Sequence, residues 1–171
     1  MPTKNSLKTI KIGVSSCLLG LAVRYDGKDK RHKVVTEILC QYFECVPICP
    51  EMAIGLGSPR PPVQLVTTTN GIRAVGRNDP AIDITNRLLE YSREIHLDHL
   101  SGMVLKSRSP SCGLGSTPLF DGDHREIRKV SGLFTESILL RDDKFPVIED
   151  TDLEDETRLN AFINDINARQ I

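Results

Sequence analysis

The order of apolar and polar positions at the start of the chain predicts a strand, a helix and a second strand. Residues 9–15 (TIKIGVS) form a short β-branched apolar run that is typical of a strand. Residues 33–45 place apolar side chains at helical spacing, which predicts a helix. Residues 46–49 (VPIC) indicate a short strand, with its proline at the strand start or at a sheet edge. This order is typical of a parallel sheet.

The middle of the chain carries the turn residues of a β-hairpin. Residues 63–69 and 71–76 flank the dipeptide Asn70-Gly71, which favours the tight turn of a hairpin. Asp79-Pro80 follows, and this pair suits the N-cap and the first position of a helix. The pattern therefore predicts a hairpin, followed by a helix that begins at Pro80.

The second half of the chain returns to alternating elements. Residues 102–105 (GMVL) predict a buried strand, and residues 106–116 predict a loop rich in Ser, Gly and Pro. Three further elements follow, namely a helix or mixed segment at 132–140, a strand at 145–148 and a helix at 153–169. We therefore expect an α/β fold with a mainly parallel sheet, helices on both faces in a three-layer Rossmann- or flavodoxin-like arrangement, and a β-hairpin insertion. Residues 1–171 are expected to form a single domain.

Three of the five cysteines follow predicted strands. Cys17 comes just after the first strand, Cys49 ends the second, and Cys112 lies in the loop after the buried strand of the second half. Because the carboxyl ends of parallel strands meet at one edge of a sheet, we expect these three thiols to lie close together, where α/β sheets bind ligands. Cys40 and Cys45 fall in the predicted helix instead.

Composition and charge narrow the class of protein. Of the 171 residues, 39% are hydrophobic and 26% are charged, which argues against disorder and against a membrane bundle. The formal net charge of −1 gives no overall attraction to nucleic acid, and 5% aromatic residues without Trp argue against a stacking surface for single strands. Residues 24–33 carry five basic and two acidic side chains, so this stretch is either a solvated loop or a contact for an anionic substrate or an RNA backbone.

The cysteine count and the N-terminus indicate the compartment. An odd number of cysteines in a chain without a good secretion signal argues against a disulfide framework. No stretch approaches the ~18 apolar residues that a membrane span needs. We therefore expect a cytoplasmic protein. The sequence has no CxxC pair, which removes the usual support for zinc ribbons and thioredoxin-like motifs.

Three thiols in one pocket allow several interpretations. Thiolates are soft ligands that select zinc, copper(I) or iron–sulfur clusters. A cubane cluster normally takes four Cys, so three would leave one iron open to act as a Lewis acid toward a soft donor atom of a substrate. Zinc with three Cys and an open position is the alternative metal centre, and three unconnected thiols are the interpretation without a metal.

Polar residues beside these cysteines suit acid–base chemistry and substrate binding. Glu51 follows the second cysteine by two residues, and its carboxylate suits a general acid or base, or a helix cap. Ser107, Ser109 and Ser111 precede the third cysteine. Their hydroxyls can bind a carbonyl oxygen or an anion, or form ordinary turns.

Three motifs of this chain resemble the signatures of one family. They are Ser16-Cys17-Leu18-Leu19-Gly20 with Val23-Arg24-Tyr25-Asp26-Gly27, then Cys49-Pro50-Glu51 with Gly55-Leu56 and Pro59-Arg60, and finally residues 106–113 (KSRSPSCG). Together and in this order they are similar to the thiouracil desulfurases, over about residues 10–140. The family was long known as a domain of unknown function.

The resemblance implies a cofactor and an activity. The cofactor is a [4Fe-4S] cluster held by Cys17, Cys49 and Cys112, and the activity takes sulfur from a thiocarbonyl without net redox chemistry. Glu51 would move protons and Ser107 would help to position the substrate.

The resemblance also implies a substrate class. It adds Ser16, Asp26 and Ser109 as substrate-binding candidates, with Ser109 as the alternative to Ser107. The expected substrate is a thiolated pyrimidine, as free base or nucleoside, and the product is the oxo-pyrimidine. Thiolated tRNA is less favoured, because we expect this chain to lack the additional C-terminal domain of the tRNA-acting relative and because its basic excess is small.

Two other functions compete with this interpretation. One is a cluster- or metal-binding sensor module without enzyme activity. The other is a zinc-dependent nucleobase hydrolase, although the sequence lacks the His-x-Glu and Pro-Cys-x-x-Cys motifs of zinc deaminases.

Overall fold

The β-branched apolar runs of the sequence form strands in two sheets. The structure, a computed structural model, describes residues 10–169. Within this range the strands are β1 Lys11–Ser15, β2 Glu44–Ile48, β3 Val63–Thr68, β4 Gly71–Gly76, β5 Gly102–Leu105, β6 Thr117–Phe120, β7 Glu126–Val130 and β8 Val147–Glu149. The α-helices are α1 Cys40–Tyr42, α2 Pro50–Ala53, α3 Thr85–Glu94, α4 Leu133–Arg141 and α5 Glu156–Ala168, and a π-helical segment, Val34–Leu39, leads into α1.

The first sheet contains only parallel strands, in the order β2-β1-β5-β8. The central strand β1 pairs Val14 with Pro47 of β2 on one side and with Val104 of β5 on the other. The chain thus builds outward in both directions from β1, which is the doubly wound order of flavodoxin-like sheets. The predicted α/β class with a mainly parallel sheet is confirmed.

Helices cover both faces of the first sheet. One face packs against α5 and the helical segment 34–42 through a buried cluster that includes Val14, Leu39 and Ile166. The other face packs against α3 and α4 through a second cluster that includes Met103 and Phe134. These are the three layers that the alternation of strands and helices predicted.

The second sheet has the order β4-β3-β6-β7 and contains the predicted hairpin. β3 and β4 pair in antiparallel fashion around the turn at Asn70-Gly71, while β3 and β6 pair in parallel. A third apolar cluster, with Leu65, Leu88 and Leu119 at its centre, packs this sheet against α3. Strands β6 and β7 extend the hairpin insertion, and the sequence pattern did not predict them.

Two element boundaries differ from the prediction because residues predicted to be helical hydrogen-bond to strands instead. The helix predicted over residues 33–45 ends at Tyr42, since Phe43 is extended and Glu44 and Cys45 pair with Lys11 and Ile12 of β1. The helix predicted to begin at Pro80 begins at Thr85. Residues 79–84 run beside β4, where Gly76 N–H donates to the Ile82 carbonyl and Ile84 N–H donates to the Ala74 carbonyl.

The remaining predicted elements lie within three residues of their expected bounds. The first strand begins at Lys11, and the predicted Thr9 lies outside the described residues. The last helix begins at Glu156 rather than at residue 153, and the Asp155 side chain caps it by accepting from the N–H groups of Thr157 and Arg158. None of the helices within residues 10–169 combines the length and apolar character needed to cross a bilayer.

Candidate functional site

Three cysteines line one cavity at the carboxyl edge of the first sheet. Cys17 follows β1, Cys49 follows β2, and Cys112 lies in the loop after β5, so the three come from adjacent strands. The cavity has a volume of about 410 Å³ and opens between this edge and the second sheet, whose β3 and β6 form its far wall. All three cysteines are free thiols. The three cysteines that follow adjacent strands therefore line the same cavity.

Cys17 is buried in a single turn of 3-10 helix, Ser16–Leu19. Gly20 ends this turn in the left-handed conformation, and its N–H donates to the Cys17 carbonyl. Burial raises the pKa of the Cys17 thiol to about 11, against the opposing charges of Lys106 and Arg24. If a metal cation replaced the thiol proton, it would offset the cost of burying the negative charge of the thiolate.

Cys49 occupies the N-cap position of α2, with Pro50 at the first helical position. Burial raises the pKa of its thiol, while the Met52 N–H and the Arg60 charge favour the thiolate and oppose that rise.

Cys112 is held by the start of α4. Its N–H donates to the Ser109 hydroxyl at 3.0 Å, and its carbonyl accepts from the Thr135 hydroxyl at 2.8 Å. Gly132, the N-cap of α4, packs so closely on this loop that a Cβ there would lie 2.4 Å from the Ser111 carbonyl carbon. Burial raises the pKa of the Cys112 thiol, and a hydrogen bond from the Ser15 hydroxyl opposes the rise.

The other two cysteines form a disulfide away from this cavity. Cys40 and Cys45 are bonded to each other with their Cα atoms 5.6 Å apart, joining α1 to β2. The expectation that an odd cysteine count argues against disulfides is wrong for this pair, because the helix ends at Tyr42 and the chain turns directly into β2. Neither cysteine lines the cavity.

Glu51 is buried in the cavity wall with a partner on each oxygen. Its Oε2 accepts from Arg60 Nε at 2.7 Å, and its Oε1 accepts from the Ser111 hydroxyl at 2.8 Å. Arg60 also donates to the carbonyls of Val23 and Gly57, so the same guanidinium holds the two loops beside the carboxylate. These contacts fix the position of Glu51.

Ser107 lies beside a second charge pair, which is partly buried. Lys106 Nζ donates to the Ser107 hydroxyl at 2.8 Å and to Asp150 Oδ2 at 2.8 Å, and the Ser107 N–H donates to Asp150 Oδ1 at 2.6 Å. Because the hydroxyl oxygen accepts from Lys106, its proton is directed elsewhere. Burial alone would raise the pKa of Asp150, but these hydrogen bonds outweigh it and lower the pKa.

The structure separates the three predicted substrate-binding residues. Ser16 and Ser109 line the cavity, and the Ser109 hydroxyl also accepts from the N–H groups of Ser111 and Cys112, as expected of a turn serine. Asp26 is exposed in a turn and pairs with Arg24 at 3.4 Å. Arg24 lines the cavity, and Asp26 does not.

Positive charge dominates the cavity lining. One carboxylate, Glu51, faces six basic side chains, which are Arg24, Lys30, Arg60, Arg77, Lys106 and Arg108. Two of these come from the basic stretch 24–33 that the sequence singled out. The field of these side chains favours anionic groups, including thiolates.

No three His, Cys, Asp or Glu side chains within residues 10–169 are grouped so that they could hold a metal ion. The three free thiols share the cavity without forming such a compact set. The donor types are those that iron–sulfur clusters and other soft metal centres require.

Comparison with known proteins agrees with this fold and cavity. The model of the 2-thiouracil desulfurase family matches residues 12–150, a range that includes all three free cysteines, Glu51 and Ser107. This chain belongs to that family, as its three motifs implied.

Two similar proteins align with this chain over nearly their whole length. An uncharacterized protein of Bacillus subtilis (strain 168), YbbK, is 29% identical over 153 residues, which are 83% of this chain and 97% of YbbK. Among solved structures, the [4Fe-4S]-dependent thiouracil desulfidase TudS superposes with a TM-score of 0.66 at 28% identity, covering 90% of this chain and 99% of TudS. The recognised family and the α/β fold are thereby confirmed.

Several residues in or beside the cavity carried no clear signal in the sequence. Arg60 and Ser111 stand inside the recognised motifs, but their contacts with Glu51 span 9 and 60 residues. Asp150 accepts a hydrogen bond from the Ser107 N–H and lies 43 residues further along the chain. Gln64, on β3, lines the cavity from a segment recognised only as a hairpin strand.

Proposed function

We propose that this protein removes sulfur from a thiolated pyrimidine, as free base or nucleoside, and releases the oxo-pyrimidine and sulfide. Membership of the 2-thiouracil desulfurase family and the similarity to TudS support this reaction. Water supplies the new oxygen, and the sulfur leaves with the two hydrogens of that water, so neither carbon nor sulfur changes oxidation state. The small cavity favours a small molecule over tRNA.

The proposed cofactor is a [4Fe-4S] cluster held by Cys17, Cys49 and Cys112. When bound, such a cluster supplies a Lewis-acidic iron without a protein ligand, to which the sulfur of the substrate can bind. Three free thiols around one cavity support this choice. A single zinc ion would draw its thiolates into one compact group at about 2.3 Å from the metal. No such compact group is found within residues 10–169.

Glu51 is the proposed general acid and base. Its buried carboxylate lines the cavity and is fixed by Arg60 and Ser111. It takes a proton from the water that attacks the thiocarbonyl carbon, and it later returns that proton to the departing sulfur.

Ser107 is the proposed positioning residue for the substrate. Lys106 donates to its hydroxyl oxygen, which leaves the hydroxyl proton free to donate to the pyrimidine. Ser16 and Ser109 line the same cavity as further substrate contacts. Substrate binding by Asp26 stays a prediction, since this carboxylate lies in an exposed turn. The proposed location is the cytoplasm: the three reduced thiols favour it, and the Cys40–Cys45 disulfide is unusual there.

One observation carries the proposal: three free cysteines from adjacent strand ends and a buried carboxylate line the same cavity. The test is anaerobic preparation of the protein, followed by assays of iron, acid-labile sulfide and sulfide release from 2-thiouracil and 4-thiouracil. Cys112→Ala should lose the cluster and the turnover. The Cys40→Ala/Cys45→Ala double variant removes thiols outside the cavity and should keep both. Full turnover by Cys112→Ala would refute the proposal.

A further inference from the structure

A buried glutamine lines the cavity from the side opposite the cysteines. Gln64 lies on β3 and is 6% exposed, so its amide has little access to bulk water. Its Nε2 lies 3.1 Å from Nδ1 of His124. No residue within 10–169 donates a hydrogen bond to its Oε1, and that oxygen is not among the fully enclosed polar atoms without a partner. A buried acceptor that remains accessible beside a cavity is placed to meet a donor of a ligand.

The contact with His124 fixes which end of the amide is available. An amide nitrogen can only donate, so Nδ1 of His124 is the acceptor of this contact and Oε1 is left for another partner. His124 stands in the turn between β6 and β7 with φ of 61°, a left-handed conformation. The turn is closed by Asp121, whose carboxylate accepts from the N–H groups of Asp123 and Arg125. The turn therefore fixes the backbone that carries the ring, and the ring itself contacts Gln64.

We propose that Gln64 determines specificity by accepting a hydrogen bond from the N3–H of the pyrimidine, and that His124 is the positioning residue that orients its amide. This inference rests on the proposed function. Within a thiolated uracil, N3 lies between C2 and C4, so it adjoins the reacting carbon whichever of the two carries sulfur. It also keeps its hydrogen when a sugar is attached to N1. One acceptor thus serves free bases and nucleosides alike.

An amide is better suited to this contact than a carboxylate would be. A thiolated pyrimidine that loses its N3 proton spreads negative charge onto its thiocarbonyl, which makes the carbon a poorer target for water. The Gln64 carbonyl accepts from N3–H but is too weak a base to remove the proton. Phe120 and Pro118 of β6 line the same wall and offer apolar contact for the ring.

The test compares the binding of pyrimidines that differ only at their ring nitrogens. Isothermal titration calorimetry on the anaerobically prepared protein measures uracil, 1-methyluracil and 3-methyluracil. Wild type should bind uracil and 1-methyluracil similarly and 3-methyluracil about 10-fold or more weakly, because methylation removes the donor and leaves Oε1 unpaired. Gln64→Leu and Gln64→Met keep the side-chain volume without an acceptor, and both should reduce this preference to about 2-fold or less.

His124 is tested by variants that retain its backbone conformation. Glycine and asparagine tolerate a positive φ, so His124→Gly removes the ring and His124→Asn keeps a short acceptor in its place. His124→Gly should lose most of the preference for uracil over 3-methyluracil, and His124→Asn should restore part of it. Iron content should stay at the wild-type level in all four variants, and kcat/KM for thiouracil should fall about 10-fold or more in the Gln64 variants.

The outcomes separate the two proposals. Wild-type discrimination between uracil and 3-methyluracil in both Gln64 variants would overturn the role of Gln64 while leaving desulfurisation standing. Unchanged discrimination in His124→Gly would overturn the positioning role. A wild-type protein that releases no sulfide from either thiouracil would refute the proposed function. If that protein also binds no uracil, the proposed role of Gln64 is refuted as well.

Discussion

At the scale of single residues, two charge pairs stand at the cavity, one buried and one partly buried. Glu51 is held by Arg60 and Ser111, and Asp150 is held by Lys106 and Ser107. Both carboxylates lie next to residues with a proposed role, but they differ in what they touch. Glu51 lines the cavity, whereas Asp150 supports its wall from behind. They should therefore respond differently to loss of charge.

Glu51→Gln separates catalysis from cluster binding. The amide keeps the size of the side chain and cannot take a proton from water, so turnover of thiouracil should fall about 10²- to 10⁴-fold. Iron and acid-labile sulfide should stay at the wild-type level, because Glu51 is not a proposed ligand. The control is Glu44→Gln, which removes an exposed carboxylate paired with Lys11. Wild-type turnover in Glu51→Gln would favour a sensor module over an enzyme.

Asp150→Asn tests the supporting pair through the pH dependence of stability. The pKa of Asp150 is lower in the folded protein than in the unfolded chain, whose value is about 3.9. Its stabilisation is therefore complete above pH ~3.9 and is lost as the pH falls through the lower, folded-state value. At pH 7 the variant should lose about 1–3 kcal/mol of unfolding free energy in urea.

The difference between wild type and Asp150→Asn should shrink on acidification below about pH 4. Asp98→Asn removes an exposed carboxylate and should change stability by less than about 0.5 kcal/mol. A constant difference down to pH 2 would show that the loss arises from something other than the charge of Asp150.

The sequence could predict which residue types gather at the cavity but not which of them pair. Cys17, Cys49 and Cys112 were predictable because strand exits in a parallel sheet share one edge. The contact between Glu51 and Ser111 joins α2 to a loop 60 residues away, so no local pattern contains it. Such side-chain pairs form only because the fold brings two distant loops together.

At the scale of elements, hydrogen bonds between segments decide where helices begin and end. Asp79-Pro80 has the composition of a helix start, but the backbone after it bonds to β4, and α3 begins only at Thr85. Strand β6 was not predicted because it has four residues and contains Pro118. Strand β7 (EIRKV) is exposed along most of its length and lacks an apolar alternation. β6 pairs with β3 of the hairpin and β7 pairs with β6, so hydrogen bonding makes strands of two segments whose sequences do not predict them.

Gly132→Ala tests the contact between α4 and the loop that carries Cys112. Gly132 has an ordinary φ of −64°, so its requirement is for space, and a Cβ would lie within 2.7 Å of the Ser111 carbonyl and the Cys112 nitrogen. Backbone atoms must shift to accept it, which should cost about 1–3 kcal/mol of stability and lower the iron retained per chain.

Gly122→Ala is the matched control for this substitution, because no atom lies within 4 Å of a Cβ at Gly122. It should leave unfolding in urea and iron content near their wild-type values. If Gly132→Ala also leaves both unchanged, the loop tolerates displacement and α4 does not fix the position of Cys112.

At the scale of the whole molecule, two sheets form opposite walls of one cavity. The parallel sheet presents the cysteines at its carboxyl edge, and the second sheet closes the opposite wall with Gln64 and Phe120. The sequence predicted the first sheet and the hairpin of the second. It did not show that the hairpin insertion would face the cysteines, since that depends on the parallel pairing of β3 with β6.

The five cysteines fall into two groups, three in the cavity and two in a disulfide, and the disulfide provides the test at this scale. Cys40 and Cys45 close a short loop at the junction of α1 and β2, outside the cavity. Restricting a loop of this length in the unfolded chain stabilises the folded state by about 2 kcal/mol in the chain-entropy model. Cys40→Ser/Cys45→Ser should therefore lose about 2 kcal/mol in urea unfolding of the cluster-free protein, and a thiol reductant should bring wild type to the same value. Its iron content and turnover should be unchanged, since the three cavity cysteines remain. Loss of iron in this variant, at a temperature where it stays folded, would mean that the disulfide helps to shape the cluster site.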